Sequence, residues 1–495
     1  MNLLSSAKDL VPFVFMIVIA AGCKQPETIV IDRDPDITAG DTLDQQPVER
    51  QDISFHRLNI GELQPINSLD PLLADNSTAM RAIQLVYEGL VQFDETGDIT
   101  PALAERWSVE NNDRRYTFHL RPDVYYHDSE VFGGGTGRKF TAEDVIFVFE
   151  RMAKNSVPPA TARLFMKIQG FNSYFQEQQQ VYNPELRQLD HVSGIQAPND
   201  TTVVFDLDQP DRDFLQKLAL PPAVIYPQEA VGKSNNEFTA IGTGPFRFSQ
   251  QANDSTYIFS KFENYYAASD IQLDRVDLIV SSSGSELFNA LENGNIHFLP
   301  ELGPTLLQQL LAEDGALASS YAGRYSLAQT GSATYALRRY PPSGLSLDRA
   351  ADIAQLAENN ALSLFEPLGY SVAEPSFSTD DSEISSMTNL VIEAPAVDTP
   401  YGKVFLQQIA DLLAEQGGKL EISDIKVPTQ HTGLFLTEQL MLLPPVEWTG
   451  YPALITFEIP QFSLMRRDID HLAANSYSWW LDLRGTELPA FENIN

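Results

Sequence analysis

The chain has 495 residues, 43% of them apolar and 10% aromatic, more than one hydrophobic core normally holds and enough to exclude a disordered chain. Its 33 basic side chains stand against 67 acidic ones, a formal charge of -34, so phosphate backbones and anionic headgroups are repelled and no nucleic-acid partner is expected. One cysteine, Cys23, leaves no internal disulfide framework.

Leu10 to Ala21 is an apolar run broken only by Pro12, preceded by Lys8 and followed by Ala20-Ala21-Gly22-Cys23. It is too short for a spanning helix, which needs about 20 residues, and has the length of a signal-peptide core. The small-small-Gly-Cys ending resembles the lipobox of bacterial lipoproteins. That resemblance implies a signal peptide over residues 1–22 and an acylated Cys23 as the lipid anchor, with Asp9 beside Lys8 and Ala20 in place of the commoner Leu as departures. Residues 23–51, with Asp32, Asp34, Asp36, Asp41 and Asp44, have no sustained apolar period and are expected to be an acidic tether. As a random coil it would average roughly 30 Å.

Alternation over Ile53 to Ile60 predicts a first strand, and Gln64 to Pro71 a turn and a helix start. Thr78 to Leu90 is predicted as an amphipathic helix with Met80, Ile83, Val86, Tyr87 and Leu90 on one face, stopped at Gly89. A turn over Asp94 to Asp98 leads to a helix started by Pro101 and running through Leu103 to Val109, then a strand over Tyr116 to Leu120. Gly133 to Lys139 fails the phosphate-loop test, because Arg138 directly follows the last Gly and no Ser or Thr follows Lys139. Thr141, with Asp144 three residues on, is a natural N-cap for the next helix. Asn155 to Gln188 is polar and Gln-rich, an excursion of loop and helix. Strands are predicted over Thr201 to Leu207 and Leu273 to Val280, a helix over Glu286 to Asn293, and a strand and helix over Asn389 to Ile392 and Val404 to Glu415.

Leu85-Val86-Tyr87-Glu88-Gly89-Leu90-Val91, Phe140-Thr141-Ala142-Glu143-Asp144-Val145 and Ile241-Gly242-Thr243-Gly244-Pro245-Phe246, in this order and spacing, resemble the peptide-binding family of extracytoplasmic solute-binding proteins of ABC importers. The resemblance implies an α/β, two-lobed periplasmic-binding-protein (class II) fold with an extra small subdomain in the first lobe. It implies lobe I over residues 52–280, with the subdomain at about 95–194, lobe II over 281–446, and a return to lobe I over 447–495. Gln64 and Asn67 at the cleft mouth, Thr243 and Gly244 in the glycine loop, and Glu447 and Trp448 further on are the candidate ligand contacts; Tyr265 and Tyr266 are aromatics of the sort that line a cleft. No cofactor and no metal are expected.

Between Ser319 and Tyr451 the resemblance thins, and lobe II is expected to be shortened. The resemblance implies a monomeric receptor that binds peptides or a related small solute and delivers them to permease subunits in a membrane. A derived interaction lipoprotein is the alternative. A hydrolase is disfavoured: the seven histidines are scattered and form no His-Glu-x-x-His, and no Gly-x-Ser-x-Gly occurs.

Overall fold

The computed structural model describes residues 56–232, 237–312 and 315–339, together with 371–373, 391–395, 400–415, 417, 419–423, 434–439, 453–475, 477 and 479–488. The compact unit runs from Ser54 to Asn495. Its described strands, in chain order, are β1 Arg57–Glu62, β2 Val91–Phe93, β3 Ile99–Pro101, β4 Ala104–Glu110, β5 Arg115–Leu120, β6 Ile195–Asn199, β7 Thr202–Asp206, β8 Phe246–Asn253, β9 Thr256–Lys261, β10 Arg275–Val280, β11 Phe298–Leu299, β12 Tyr325–Arg339, β13 Ser371–Ala373, β14 Val391–Pro395, β15 Lys419–Ser423, β16 Leu434–Gln439, β17 Ala453–Arg466, β18 Ala473–Ala474 and β19 Leu481–Asp482. The helices used below are α1 Ser77–Val86, α2 Ala142–Met152, α3 Phe171–Gln180, α4 Gly284–Glu292, α5 Pro304–Leu310 and α6 Pro400–Glu415.

A nine-stranded sheet in the order β16-β12-β17-β11-β1-β10-β9-β8, with β13 added to β17, is the backbone of the unit. β1 pairs parallel with β10 and β11, while β17 runs antiparallel to β11 and β12. Where β11, β1 and β17 meet, successive residues face opposite cores, as the period of two requires. Leu58, Ile60 and Phe298 enter one apolar cluster, joined by Met465, whereas Leu63, Leu299 and Leu464 enter a second. The first cluster gathers α1, α2 and the strands up to β10; the second gathers α4, α5, α6 and parts of β12 and β17. A separate four-stranded sheet, β4-β5-β7-β6, lies under α2 and shares the first cluster through Phe118, Val203 and Phe205.

α1 begins where Asn76 accepts the Ala79 N–H at 2.8 Å, and ends at Val86 rather than Leu90. Tyr87 leaves the helix in an extended conformation, and Glu88 is drawn into a bridge with Ile225, so Gly89 follows the helix end instead of making it. The helix expected over Leu103 to Val109 is the strand β4. Pro101 is already committed to β3 opposite Val91, and Trp107 pairs with Phe118 of β5, so tertiary pairing overrides local helix preference. The expected α2 start forms: the Thr141 N–H donates to the Asp144 carboxylate at 3.0 Å and the Asp144 N–H returns to the Thr141 carbonyl at 3.1 Å. In the turn before it, Arg138 bridges Asp144 and Glu229, and a Cβ on Gly137 would lie 1.8 Å from the Tyr126 carbonyl oxygen. That backbone contact, and no phosphate, accounts for the last glycine of the cluster.

The Ser-Leu-Asp-Pro turn is fixed from below by a buried ion pair. Asp70 on the turn meets Arg151 at the end of α2, with Nη1 to Oδ1 at 2.8 Å, and the Tyr226 hydroxyl joins the same guanidinium at 2.8 Å. Both charges are almost fully enclosed. Removing one partner strands the other, so Asp70→Ala should lose about 3–5 kcal/mol in equilibrium urea unfolding.

Candidate functional site

The two apolar clusters meet at the end of β1, and the meeting point is charged. Glu62 closes β1, and Leu63, the next residue, already packs in the second cluster. α1 crosses behind it and delivers Thr78 and Arg81, one helical turn apart and on one face. Arg81 Nε donates to Glu62 Oε1 at 2.7 Å and Thr78 Oγ1 donates to Oε2 at 3.0 Å. All three side chains are buried to 1% exposure or less. From the opposite side, the segment after β11 brings Glu301, 6% exposed. Burial pushes its carboxyl up to about 6; the nearby Arg81 charge lowers it and Glu62 raises it. Tyr401 of α6 completes the surround, its hydroxyl pushed up by burial and by the Glu301 charge.

A second polar cluster lies inside the first core. Glu88, just past α1, accepts hydrogen bonds from the Tyr265 and Tyr266 hydroxyls at 2.9 and 2.8 Å and from Thr243 Oγ1 at 3.0 Å. Burial still wins, and its carboxyl is pushed up to about 7. Glu88, Gln84, Tyr265, Trp480 and Arg484 line a cavity of about 100 Å³.

The glycine loop braces this cluster. A Cβ on Gly242 would lie 2.0 Å from the Val86 carbonyl oxygen, and one on Gly244 would lie 2.7 Å from the Val86 carbonyl carbon. Both glycines therefore let the loop touch the end of α1, where the Gly244 N–H donates to the Val86 carbonyl at 2.9 Å. His127 locks the loop from the other side. Its Nε2–H donates to the Gly244 carbonyl at 2.8 Å and its backbone N–H to the Gly242 carbonyl at 2.9 Å. Burial holds the ring neutral, its pKa down at about 4.

Among the residues singled out from sequence, Gln64 is buried at the charged junction, two positions past Glu62. Asn67 is occupied in its own turn, donating to the Leu73 carbonyl at 2.8 Å. Thr243 and Gly244 face Glu88 and α1, and Tyr265 and Tyr266 face Glu88. Cys23, Glu447 and Trp448, and part of the region where a shortened second lobe is expected, lie outside the described residues. Glu62, Arg81 and Glu301 carry no motif; the only available signal was Arg81, a charge at an inward position of an otherwise apolar helix segment. Among the described residues no cluster of His, Cys, Asp and Glu is placed to hold a metal, and no helix is long and apolar enough to cross a membrane.

Glu88 supplies a pH test with a defined sign. A carboxyl whose folded pKa is raised favours folding fully below its unfolded value, 4.5, and loses that contribution as pH rises through about 7. Between pH 5 and pH 8 the wild-type chain should therefore lose stability relative to Glu88→Gln, by about 3 kcal/mol at most. Melting temperatures of the two proteins across that range give the difference directly.

Comparison with known proteins agrees with this architecture. Residues 98–338 match the model of the bacterial extracellular solute-binding proteins, family 5. The chain is 28% identical over 281 residues to di/tripeptide-binding protein 1 of Pseudomonas aeruginosa, covering 55% of this chain and 49% of that protein. It is 30% identical over 244 residues to the dipeptide-binding protein of Escherichia coli, covering 48% and 43%. The matched part thus spans about half the length of these curated relatives. The substrate-binding domain of an oligopeptide ABC transporter from Bacillus anthracis superposes with a TM-score of 0.68 at 14% identity, covering 88% of this chain and 99% of that one. Residues 98–338, just under half of the chain, are thus similar to the bacterial extracellular solute-binding proteins of family 5, and the fold is the two-lobed α/β fold of class II periplasmic binding proteins.

Proposed function

We propose that this protein is the lipid-anchored, extracytoplasmic receptor of an ABC importer, binding peptides or a related small solute between two lobes and handing them to a membrane permease. In this reading residues 1–22 are removed, Cys23 carries the lipid, and residues 24–51 hold a monomeric receptor away from the membrane. Lobe I comprises 52–280 and 447–495, and lobe II 281–446. The observation that carries the reading is the junction at Glu62, Arg81 and Glu301. One apolar cluster lies on each side of it, joined by the strands of a single sheet.

Such a receptor needs no catalytic group. A solute that touches both lobes binds their closed arrangement better than the open one, and that difference in affinity is the whole driving force for closure. An extended peptide is held chiefly through its backbone and charged ends, while water fills the space around varied side chains. Buried charges at the junction suit a polar ligand, because a charge removed from water is stabilised only by a partner placed to meet it.

Two measurements test the reading. Mass spectrometry of the purified chain should find retained peptide, and peptide at a hundredfold excess over its Kd should stabilise the emptied protein by about 2.7 kcal/mol, seen as a rise in melting temperature. An empty protein unmoved by any di- to pentapeptide would favour the derived interaction protein instead. Separately, Cys23→Ala should move the chain from the membrane fraction to the soluble one; unchanged membrane association would remove the lipid anchor from the account.

A further inference from the structure

After β17 the chain returns to α1 as a strap, within which β18 and β19 pair. One part of it is anchored where Tyr477, Trp479 and Trp480 pack with Met80, Phe93 and Leu220, and where Asn475 donates to the Asp94 carbonyl at 2.9 Å. The other is held where the Gly485 N–H donates to the Asp270 carbonyl at 2.7 Å and Asp470 bridges to Glu487. Between these anchors, residues 480–484 line the cavity of about 100 Å³ together with Gln84, Glu88 and Tyr265. The hydrogen bond that ties this span to α1, from the Leu481 N–H to Gln84 Oε1, is long at 3.3 Å. The strap is thus pinned firmly beyond the cavity and loosely over it.

Glu88 gives that arrangement a consequence. It is 9% exposed, and the groups that meet its carboxylate are three neutral hydroxyls, those of Tyr265, Tyr266 and Thr243. The cations nearby are engaged elsewhere. Arg121 stands 4.6 Å over the Tyr266 ring, Arg81 is bound by Glu62, and Arg484 of the strap is held by Asp482 at 2.8 Å. Burial raises the Tyr265 and Tyr266 hydroxyls, which keep their protons, and His127 behind the glycine loop stays neutral. An ionised Glu88 is therefore a buried charge whose remaining source of stabilisation is water. The cavity has the volume for it, since one water needs roughly 10–15 Å³.

We propose that residues 480–484 are a proton-operated cover: with Glu88 protonated the strap stays seated over the cavity, and with Glu88 ionised it lifts and lets water reach the carboxylate. Because Gln84 lies on α1, the helix that also carries Arg81 feels the state of the cover. The rise of the Glu88 carboxyl to about 7 puts the change between pH 5.5 and pH 8.5. Histidine is the other side chain that changes charge in such a range, and His471 stands at the foot of the strap beside Gly485. The device is independent of which solute the protein binds.

Hydrogen–deuterium exchange of the full chain in detergent, at pH 5.5 and 8.5 and corrected for intrinsic rates, reads the cover through the Leu481 and Gly485 amides. In the wild type their protection should fall about tenfold or more from the lower pH to the higher, while β1 and β10 keep theirs. Glu88→Gln should show equal protection at both pH values, and His471→Asn should respond as the wild type does. Tyr266→Phe removes a hydrogen bond that favours the charged form, so the midpoint of the fall should move to higher pH. Equal protection at both pH values in the wild type would overturn the proposal, as would protection that rises with pH because Arg484 turns to the carboxylate. A wild-type response in Glu88→Gln, or its loss in His471→Asn, would do the same. Should Glu88→Gln fold poorly, an unmoved midpoint in Tyr266→Phe overturns it.

Discussion

The buried contact between Glu62 and Arg81 is the constraint on which the rest of this structure depends. An ion pair taken wholly out of water has a desolvation cost comparable to its attraction, so its importance is geometric: neither partner can leave without abandoning the other. Because Glu62 ends β1 and Arg81 lies within α1, the pair fixes the helix against the sheet at the point where one apolar cluster gives way to the other. Leu63, one residue beyond, already belongs to the second cluster, and a Cβ on Gly61, one residue before, would lie 2.5 Å from Leu299 of that cluster. The sheet is thus a shared wall, and the ion pair is where the wall is pinned.

The far end of α1 is held by a different device. There the polypeptide must leave a helix, pass Glu88 and enter a strand, and the exposed backbone groups are met by the glycine loop and by His127. Glycine at positions 242 and 244 is needed for that contact because any side chain would strike the Val86 peptide. Thr243 between them reaches the Glu88 carboxylate, so the loop that resembles a family hallmark also braces a core. Similar logic recurs at His297, whose Nδ1 accepts the Asn59 N–H at 2.9 Å and which burial keeps neutral, its pKa down at about 4.

Much of the scaffold was legible from local chemistry. The cap of α2, the helix expected over Glu286 to Asn293 and found over Gly284–Glu292, and the strand and helix expected near Asn389 to Ile392 and Val404 to Glu415 follow patterns that need only neighbouring residues. β4 was misread because its apolar residues and the preceding proline satisfy a helix template equally well, and only the pairing of Trp107 with Phe118 decides between them. The charged junction was illegible for a related reason. Glu62, Arg81 and Glu301 come from a strand, a helix and a loop far apart in the chain, and no spacing rule joins single residues that meet only after folding. Gln64 is marked in the sequence only by its place in a turn.

In the proposed receptor the junction has little to supply beyond a choice of ligand. The two clusters share one sheet, the charged residues stand between them, and a solute bound at that junction would touch both. Hydrogen–deuterium exchange on the chain with and without saturating peptide tests this most directly. The account predicts slower exchange on binding in residues 60–64, 298–302 and 459–464 together. Unchanged exchange in these three segments, with protection confined elsewhere, would contradict it.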